Sequence, residues 1–429
     1  MRKRASQRAS QPPHTTAAPR VVLAILRDAA AAAVILASGL PGNALAQEDP
    51  RIEQLQRQIE ELQRQLDELR GEMQEVKKLP PPPPAEVPER PVTSGQDRIT
   101  LTISGQINRA INVAGDGDRT KVYFVDNDAS NSRIRAVGTG QISDDVTVGT
   151  QIELAIAPNE SAKVSQDNEE SGDFFDQRKV EIWADSRTFG RLTLGKGDAA
   201  TNGTSEVDLS GTAVIMYASV ADIAAGLKFR DKDDQLTDVR ITDAFSDFDG
   251  LSRHDRLRYD SPRFGGFSLS GSVISDQRYD GAVRWGGQGF GLKTAAAAGL
   301  ADPSRRAVDF RLNGSFSVLH EATGLNLTLS SGMDKSKNGG NPSNVYVKGG
   351  WIANFFDWGE SRFGIDFTRS NNNPTPSDSG FSVGGAFVQA VPDFGAELYT
   401  QLRWYTLDRN NERSVHDIVV GSVGTRVKF

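Results

Sequence analysis

From Ser132 to Ala157 apolar and polar residues alternate with a period of two. Ile134, Ala136, Ile142, Val148, Ile152, Leu154 and Ile156 fall on one face, and Arg133, Arg135, Gln141, Gln151 and Glu153 fall on the other. Ser143, Asp144 and Asp145 mark the turn between two strands. In a soluble sandwich the apolar face would be the inside. Here the polar face carries charges that need water, and the same pattern recurs in hairpin after hairpin to the C-terminus. The alternation therefore predicts an all-β fold, a 16-stranded antiparallel transmembrane β-barrel whose polar face lines a lumen and whose apolar face meets lipid.

Further along, strands are expected near Arg98–Val113, Phe175–Ala184, Arg191–Lys196, Ala224–Arg230, Asp255–Ser261, Phe267–Ile274, Tyr279–Trp285 and Phe290–Ala298. Five more are expected near Val308–Leu319, Gly324–Met333, Val345–Phe355, Arg362–Arg369 and Phe381–Val391, with Ala396–Leu407 and Val415–Phe429 closing the series. Gly115–Asn131 and Pro158–Asp173 read as polar loops, and Gly286-Gly287-Gln288-Gly289 as a hairpin turn with no helix after it to cradle a phosphate. Long and short connections alternate, as they do when one rim faces the cell exterior and the other the periplasm. The last strand sets Val419, Val423, Val427 and the terminal Phe429 on one parity, opposite Arg426 and Lys428.

The first 96 residues have other periodicities. Residues 1–46 read as a signal peptide: Arg2, Lys3, Arg4, Arg8, Arg20 and Arg27 precede the apolar run Ala29–Leu40, and Ala44-Leu45-Ala46 suits cleavage after Ala46. Within residues 47–79, Ile52, Leu55, Ile59, Leu62, Leu66, Leu69, Met73 and Val76 keep a 3-4 spacing, which predicts a helical coiled coil placed in the periplasm. Residues 80–96 are a Pro-rich linker that begins with Pro80–Pro84, and residues 97–429 are the barrel.

Composition sharpens this picture. Only 37% of residues are apolar and 24% are charged, too little for the packed core of a 429-residue globule but suited to a barrel that holds water. A formal charge of −7 with no basic-aromatic cluster argues against nucleic acid as a partner. The expected mature chain holds only His254, His320 and His416, scattered and without a Ser-His arrangement, so no enzyme activity is expected. No metal or other cofactor is expected either, because Asp126-Asn127-Asp128 lacks the glycine and distal glutamate of a calcium loop. The acids of the Pro158–Asp173 loop read as hydrated, with bridging of divalent cations to lipopolysaccharide as the alternative.

Three stretches carry a resemblance: Ser132-Arg133-Ile134-Arg135-Ala136-Val137-Gly138, Phe189-Gly190-Arg191-Leu192-Thr193-Leu194-Gly195-Lys196, and Leu257-Arg258-Tyr259-Asp260-Ser261-Pro262-Arg263-Phe264-Gly265-Gly266-Phe267. They resemble the general trimeric porins of Gram-negative outer membranes. The resemblance implies a homotrimer in the outer membrane, in contact with its lipid and lipopolysaccharide. The terminal Phe429 resembles the signal read by the outer-membrane assembly machinery. Family likeness implies also a third loop folded into the lumen, here Gly197 to about Val220, presenting Asp198, Glu206 and Asp208 to arginines on the wall. Arg133 matches a family wall arginine, and Arg135, Arg256 and Arg258 share lumen parity on their own strands. Glu153 shares it as well. On the strand near Phe175–Ala184, lipid-facing Val180, Ile182 and Ala184 leave Lys179 and Glu181 in the lumen and set Arg178 out of phase. The family's Pro-Glu-Phe-Gly-Gly loop stretch is missing. The expected function is passive diffusion of small hydrophilic solutes and ions. The alternatives are a substrate-selective anion porin for phosphate or dicarboxylates, since coiled coils occur among such relatives, and a barrel-anchored envelope tether whose coil reaches peptidoglycan.

Overall fold

The computed structural model describes residues 98–172, 175–303, 307–410 and 412–429. The expected signal peptide, coiled coil and Pro-rich linker lie outside these residues. The described chain is almost all strand: β1 (Thr100–Gly115), β2 (Thr120–Asp126), β3 (Arg133–Gln141), β4 (Val146–Ala155), β5 (Asp176–Ser186), β6 (Gly190–Asp198), β7 (Lys228–Arg230), β8 (Leu236–Arg240), a helical turn α1 (Ile241–Ala244), β9 (Arg253–Asp260) and β10 (Phe267–Ile274). It continues with β11 (Arg278–Gly289), β12 (Leu292–Ala301), β13 (Val308–His320), β14 (Leu325–Ser336), β15 (Ser343–Phe356), β16 (Gly359–Asn371), β17 (Ser379–Val391), β18 (Ala396–Asp408) and β19 (Ile418–Lys428).

Each wall strand pairs antiparallel with its neighbours, and β19 returns to β1 to close the sheet. β2 and β3 share one place in the wall: Thr120–Asp126 pairs with Arg109–Gly115 of β1, and Arg133–Thr139 pairs with Thr100–Gln106. Counted as one interrupted strand, they make the barrel sixteen-stranded. Gly115–Asn131, expected as a polar loop, thus contains β2, which is hidden because residues 126–132 break the alternation in the middle of a strand.

The alternation is realised inside out. On β14, Leu325, Leu327 and Leu329 are 58%, 41% and 40% exposed, while the intervening Asn326, Thr328 and Ser330 are 8%, 2% and 4% exposed. A closed sheet gives backbone groups that face hydrocarbon their ladder partners, and the apolar side chains outside need no other cover than lipid. Aromatic rings cluster toward the rim with the shorter connections, where Trp351, Phe355, Phe363 and Phe387 pack at centroid distances of 5.0–5.9 Å. Girdles of such rings are typical of the membrane interface in transmembrane barrels.

Two expectations are corrected. Gly286–Gly289 belong to β11, and the chain reverses at Phe290-Gly291, both with positive φ (53° and 74°), a two-residue hairpin geometry. Ala224–Arg230 is no barrel strand: only Lys228–Arg230 is extended, pairing with β8 in a small separate sheet. Its alanines are apolar because they pack against the inner wall, which a strand facing lipid would mimic in sequence.

The seam has a specific closure. Gly105 and Phe429 exchange backbone hydrogen bonds of 2.8 and 3.0 Å, and the Phe429 ring lies where a β-carbon on Gly105 would be, 2.6 Å from the nearest ring carbon. An aromatic ring laid over a strand glycine covers the backbone left bare there. Gly105→Val is therefore expected to lift Phe429 from the seam and destabilise the barrel by about 1–3 kcal/mol, the usual cost of overpacking. Urea unfolding followed by the heat-modifiable band on gels measures this; an unchanged midpoint would contradict the closure.

Candidate functional site

The connection from β6 to β9, residues 199–252, is the longest between described wall strands and runs along the inner wall. Its path is fixed by inward side chains. Arg284 donates to the Ala200 and Asn202 carbonyls (2.8 and 2.9 Å), and the hydroxyls of Ser315 and Ser317 accept the Val207 and Leu209 amides (both 3.0 Å). Lys348 meets Asp208, the Tyr405 hydroxyl donates to the Val220 carbonyl (2.6 Å), and Asn112 donates to Ile223 (2.6 Å). The loop thus passes β11, β13, β15, β18 and β1 in turn. Its underside is apolar: Val214, Ile215, Met216, Val220, Ile223, Leu227 and Phe229 pack with Tyr346, Val388, Tyr399, Tyr405 and Val420 of the wall. Each such large side chain removed from water contributes about 1.5–3 kcal/mol. After β7, β8 and α1 the chain returns past Tyr405 and β13, with Phe245 5.4 Å from the Tyr405 ring and Arg311 donating to Gly250 (3.1 Å).

The opposite wall is basic. Arg133 lies within electrostatic reach of Arg178, Arg253 and Arg426. Arg178 comes into this group through a β-bulge: Glu153 pairs with Lys179 and Leu154 with Gln177, so Arg178 is the extra residue and both it and Lys179 turn inward. Arg178 donates to Glu153 (2.6 Å) and to Asn131 (3.2 Å), and Lys179 pairs with Asp198. The break between β2 and β3 joins this wall. Gln106, Asn108 and Arg426 all donate to Ser130 (2.7–2.9 Å), which holds residues 127–132 on the lumen side.

The residues expected from sequence fall into distinct places. Arg133, Glu153 and Lys179 join the wall just described, with Arg133 3.8 Å from Glu153. Arg135 is exposed and donates to Ser104 (3.3 Å), two residues further toward the short-turn rim. Glu181 and Arg256 form a 2.6 Å ion pair with side chains 9% and 3% exposed, and Arg256 also donates to the Gly195 and Asp198 carbonyls (both 2.8 Å). Arg258 pairs with Asp260 and donates to the carbonyl of Ala199 (3.0 Å). Asp208 is buried against Lys348, whereas Glu206 is partly exposed beside Asp247, Asp249 and Asp222. Sequence reasoning left out Arg253, Arg426, Asp222, Asp247 and Asp249. Arg426 was placed opposite the lipid face, but Arg253 shares the parity of the outward Leu257 and Tyr259 and reaches the group from the end of its strand, pairing with Asp198 (3.2 Å); the three acids sit in a loop, where no periodicity points them anywhere.

The acids of the inner loop hold their protons to unusually high pH. Enclosure within the barrel, followed by repulsion from Asp128, moves Asp222 up to about 8. Enclosure and repulsion from Asp249 move Asp247 up to about 7. Outside the inner loop, Asp128 of the 127–132 segment rises to about 6, through enclosure first and then repulsion from Glu160. Glu206 is raised for the same two reasons, enclosure first and then Asp249 and Asp247. Arg253 offers it a nearby opposite charge. One side of the lumen therefore carries titrating carboxylates, and the other carries guanidinium groups, a chemistry that stays ionised when crowded.

A family model described as Gram-negative porin matches residues 29–423. Among solved structures, an anion-selective porin from Comamonas acidovorans superposes with a TM-score of 0.54 at 14% identity, covering 77% of this chain and all of that one. OmpT of Vibrio cholerae in its trimer form gives 0.51 at 13% identity, over 78% of this chain and all of that one. At these identities the likeness speaks for the fold alone. No curated protein matches the sequence significantly. With the family match spanning nearly the whole sequence and a closed sixteen-stranded barrel beneath it, the chain belongs to the Gram-negative porin family and is an outer-membrane channel protein.

Proposed function

We propose that the channel passes small hydrophilic solutes and ions by diffusion between the acidic inner loop and the basic wall. The observation that carries this reading is the bulge in β5, which brings Arg178 and Lys179 together beside Arg133, while Glu206, Asp222, Asp247 and Asp249 gather on the loop. Opposed charges across a narrow aqueous passage set up a transverse field that sorts solutes by charge and dipole. In this reading Arg133, Arg135, Glu153, Lys179 and Glu206 border the passage, while Arg258 and Asp208 hold the loop to the wall and Glu181 and Arg256 brace the end of β6 from which it departs. Assembly as a homotrimer is part of the proposal, supported by the trimer form of the OmpT neighbour, as is a periplasmic coiled coil at residues 47–79. Contacts with lipid, lipopolysaccharide and the assembly machinery follow from residence in the outer membrane.

A second reading, an anion-selective channel for solutes such as phosphate or dicarboxylates, has its own support. Arg133, Arg178, Arg253 and Arg426 belong to a residue type that stays charged at all physiological pH, whereas the loop acids are partly protonated at neutrality. The Comamonas neighbour is itself an anion-selective porin.

Planar-bilayer recordings of the purified protein under a salt gradient separate these readings. A unit charge about 6 Å from a passing ion in water is worth about 0.7 kcal/mol, roughly a threefold change in permeability ratio. Arg133→Ala with Arg178→Ala is expected to shift the reversal potential toward cations, and Glu206→Gln with Asp247→Asn toward anions. Insertion in groups of three equal steps is the expected trimer signature. If neither pair moves the reversal potential, the passage does not run between these groups.

Selectivity should also depend on pH, with a sign fixed by the loop. Carboxylates whose pKa is raised are neutral below it and charged above it, so negative charge on the loop grows as pH rises through about 7 and 8. Cation permeability relative to chloride is expected to rise over that interval. Asp222→Asn with Asp247→Asn should flatten the profile; a profile that rises unchanged in this variant would assign the titration elsewhere.

A further inference from the structure

The inner loop meets the wall mostly through its own backbone or through neutral side chains. Asp208 meets it through a charge. The side chain of Lys348 on β15 is 0% exposed and that of Asp208 on the loop 3% exposed, and the two are paired. The same ammonium donates to the Thr212 hydroxyl and to the Met216 carbonyl, both at 3.0 Å. One lysine thus uses its three protons on three points of a single stretch, 208, 212 and 216. The seat around it is shaped to fit. Gly364 on the neighbouring strand leaves room where a β-carbon would stand 2.9 Å from the Met216 sulfur, and Gly211 adopts a positive φ (73°) under Arg362, which donates to its carbonyl at 3.2 Å.

A lysine inside a barrel that holds water would ordinarily extend to it, because its charge is strongly hydrated. Burying it instead beneath the loop is tolerated only while every proton is matched, and loss of the partner leaves a charge with nowhere to go. Glu206 lies two residues before Asp208. Whatever moves Asp208 therefore moves an acid of the passage.

We propose that Lys348 is the positioning residue of the channel: its buried pairing with Asp208 sets where residues 206–216 stand, and with them the width and charge of the constriction. This inference rests on the reading of the loop as one border of the passage. Lys348 acts through the loop and touches no solute. The arrangement is a fixed seat rather than a hinge, since the loop cannot leave the wall without exposing Met216 and separating the pair.

Hydrogen–deuterium exchange of the full chain in detergent, with bilayer recordings in parallel, tests it. Lys348→Met should leave the heat-modifiable barrel in place yet raise exchange at amides 206–216 about a hundredfold. It should also add open-channel noise and shift the reversal potential. Lys348→Met combined with Asp208→Asn removes both charges and is expected to return exchange and noise toward wild type, a recovery that a merely weakened barrel would not give. Gly364→Val keeps both charges but obstructs Met216, and should reproduce the noise and the selectivity shift. Should Lys348→Met alone fail to fold, the double variant and Gly364→Val carry the test. Exchange in Lys348→Met indistinguishable from wild type, or a double variant no quieter than the single one, would overturn the proposal. If the wild-type protein conducts nothing, the function proposed above fails, while the exchange result still decides the seat.

Discussion

Everything in this molecule follows from the need to pair each backbone amide and carbonyl where no water can reach them. In the hydrocarbon layer an unpaired group costs several kcal/mol, so an extended chain can cross only as part of a sheet with no edge. The pairing of β19 with β1, sealed by Phe429 over Gly105, is what makes the other contacts between wall strands tolerable in lipid. Closure in turn decides the side chains. Outside, leucines such as Leu325, Leu327 and Leu329 are content in lipid; inside, the same strands present Asn, Ser, Thr and charged groups to a space that must hold water or protein.

What fills that space is decided by a second balance. The inner loop brings its own apolar underside and lays it on the aromatic wall around Tyr346, Tyr399 and Tyr405, forming a small core inside the barrel. The core occupies one side of the lumen. Around it the inward arginines divide into two sets by what lies within reach: Arg258, Arg284 and Arg311 donate to loop carbonyls, while Arg133, Arg178, Arg253 and Arg426 lie near one another and pair with Glu153, Asp198 and Glu397 of the wall strands. Both sets have the same residue type and face the same way. Only the path of the loop decides which of them become tethers to it.

Local irregularities place the rest. The β5 bulge turns Arg178 inward, where strict alternation would have sent it to lipid, and the interruption at residues 127–132 carries Asn131 and Ser130 into the lumen to receive Arg178 and Arg426. Both departures from regular strand geometry lie at the basic wall. A bulge can re-aim a side chain in this way at the expense of one ladder position.

The sequence by itself determined the barrel, its inside-out polarity and nearly every strand from β9 to β19, because a period of two is imposed residue by residue and needs no knowledge of partners. It also determined that Arg133, Glu153 and Lys179 face inward. Tertiary structure alone decided the rest. Ala224–Arg230 reads as a strand but packs as a loop, since apolar cover against an inner wall and apolar exposure to lipid leave the same mark in sequence. β2 disappears into a polar stretch because its alternation is broken at Asp126. The acids Asp222, Asp247 and Asp249 acquire their common environment only when the inner loop turns back on itself, and the pairing of Asp208 with Lys348 joins residues 140 positions apart. Periodicity reports which face a strand residue occupies. It is silent on where a loop lies across those faces, and in this protein the loop determines the charges that border the lumen.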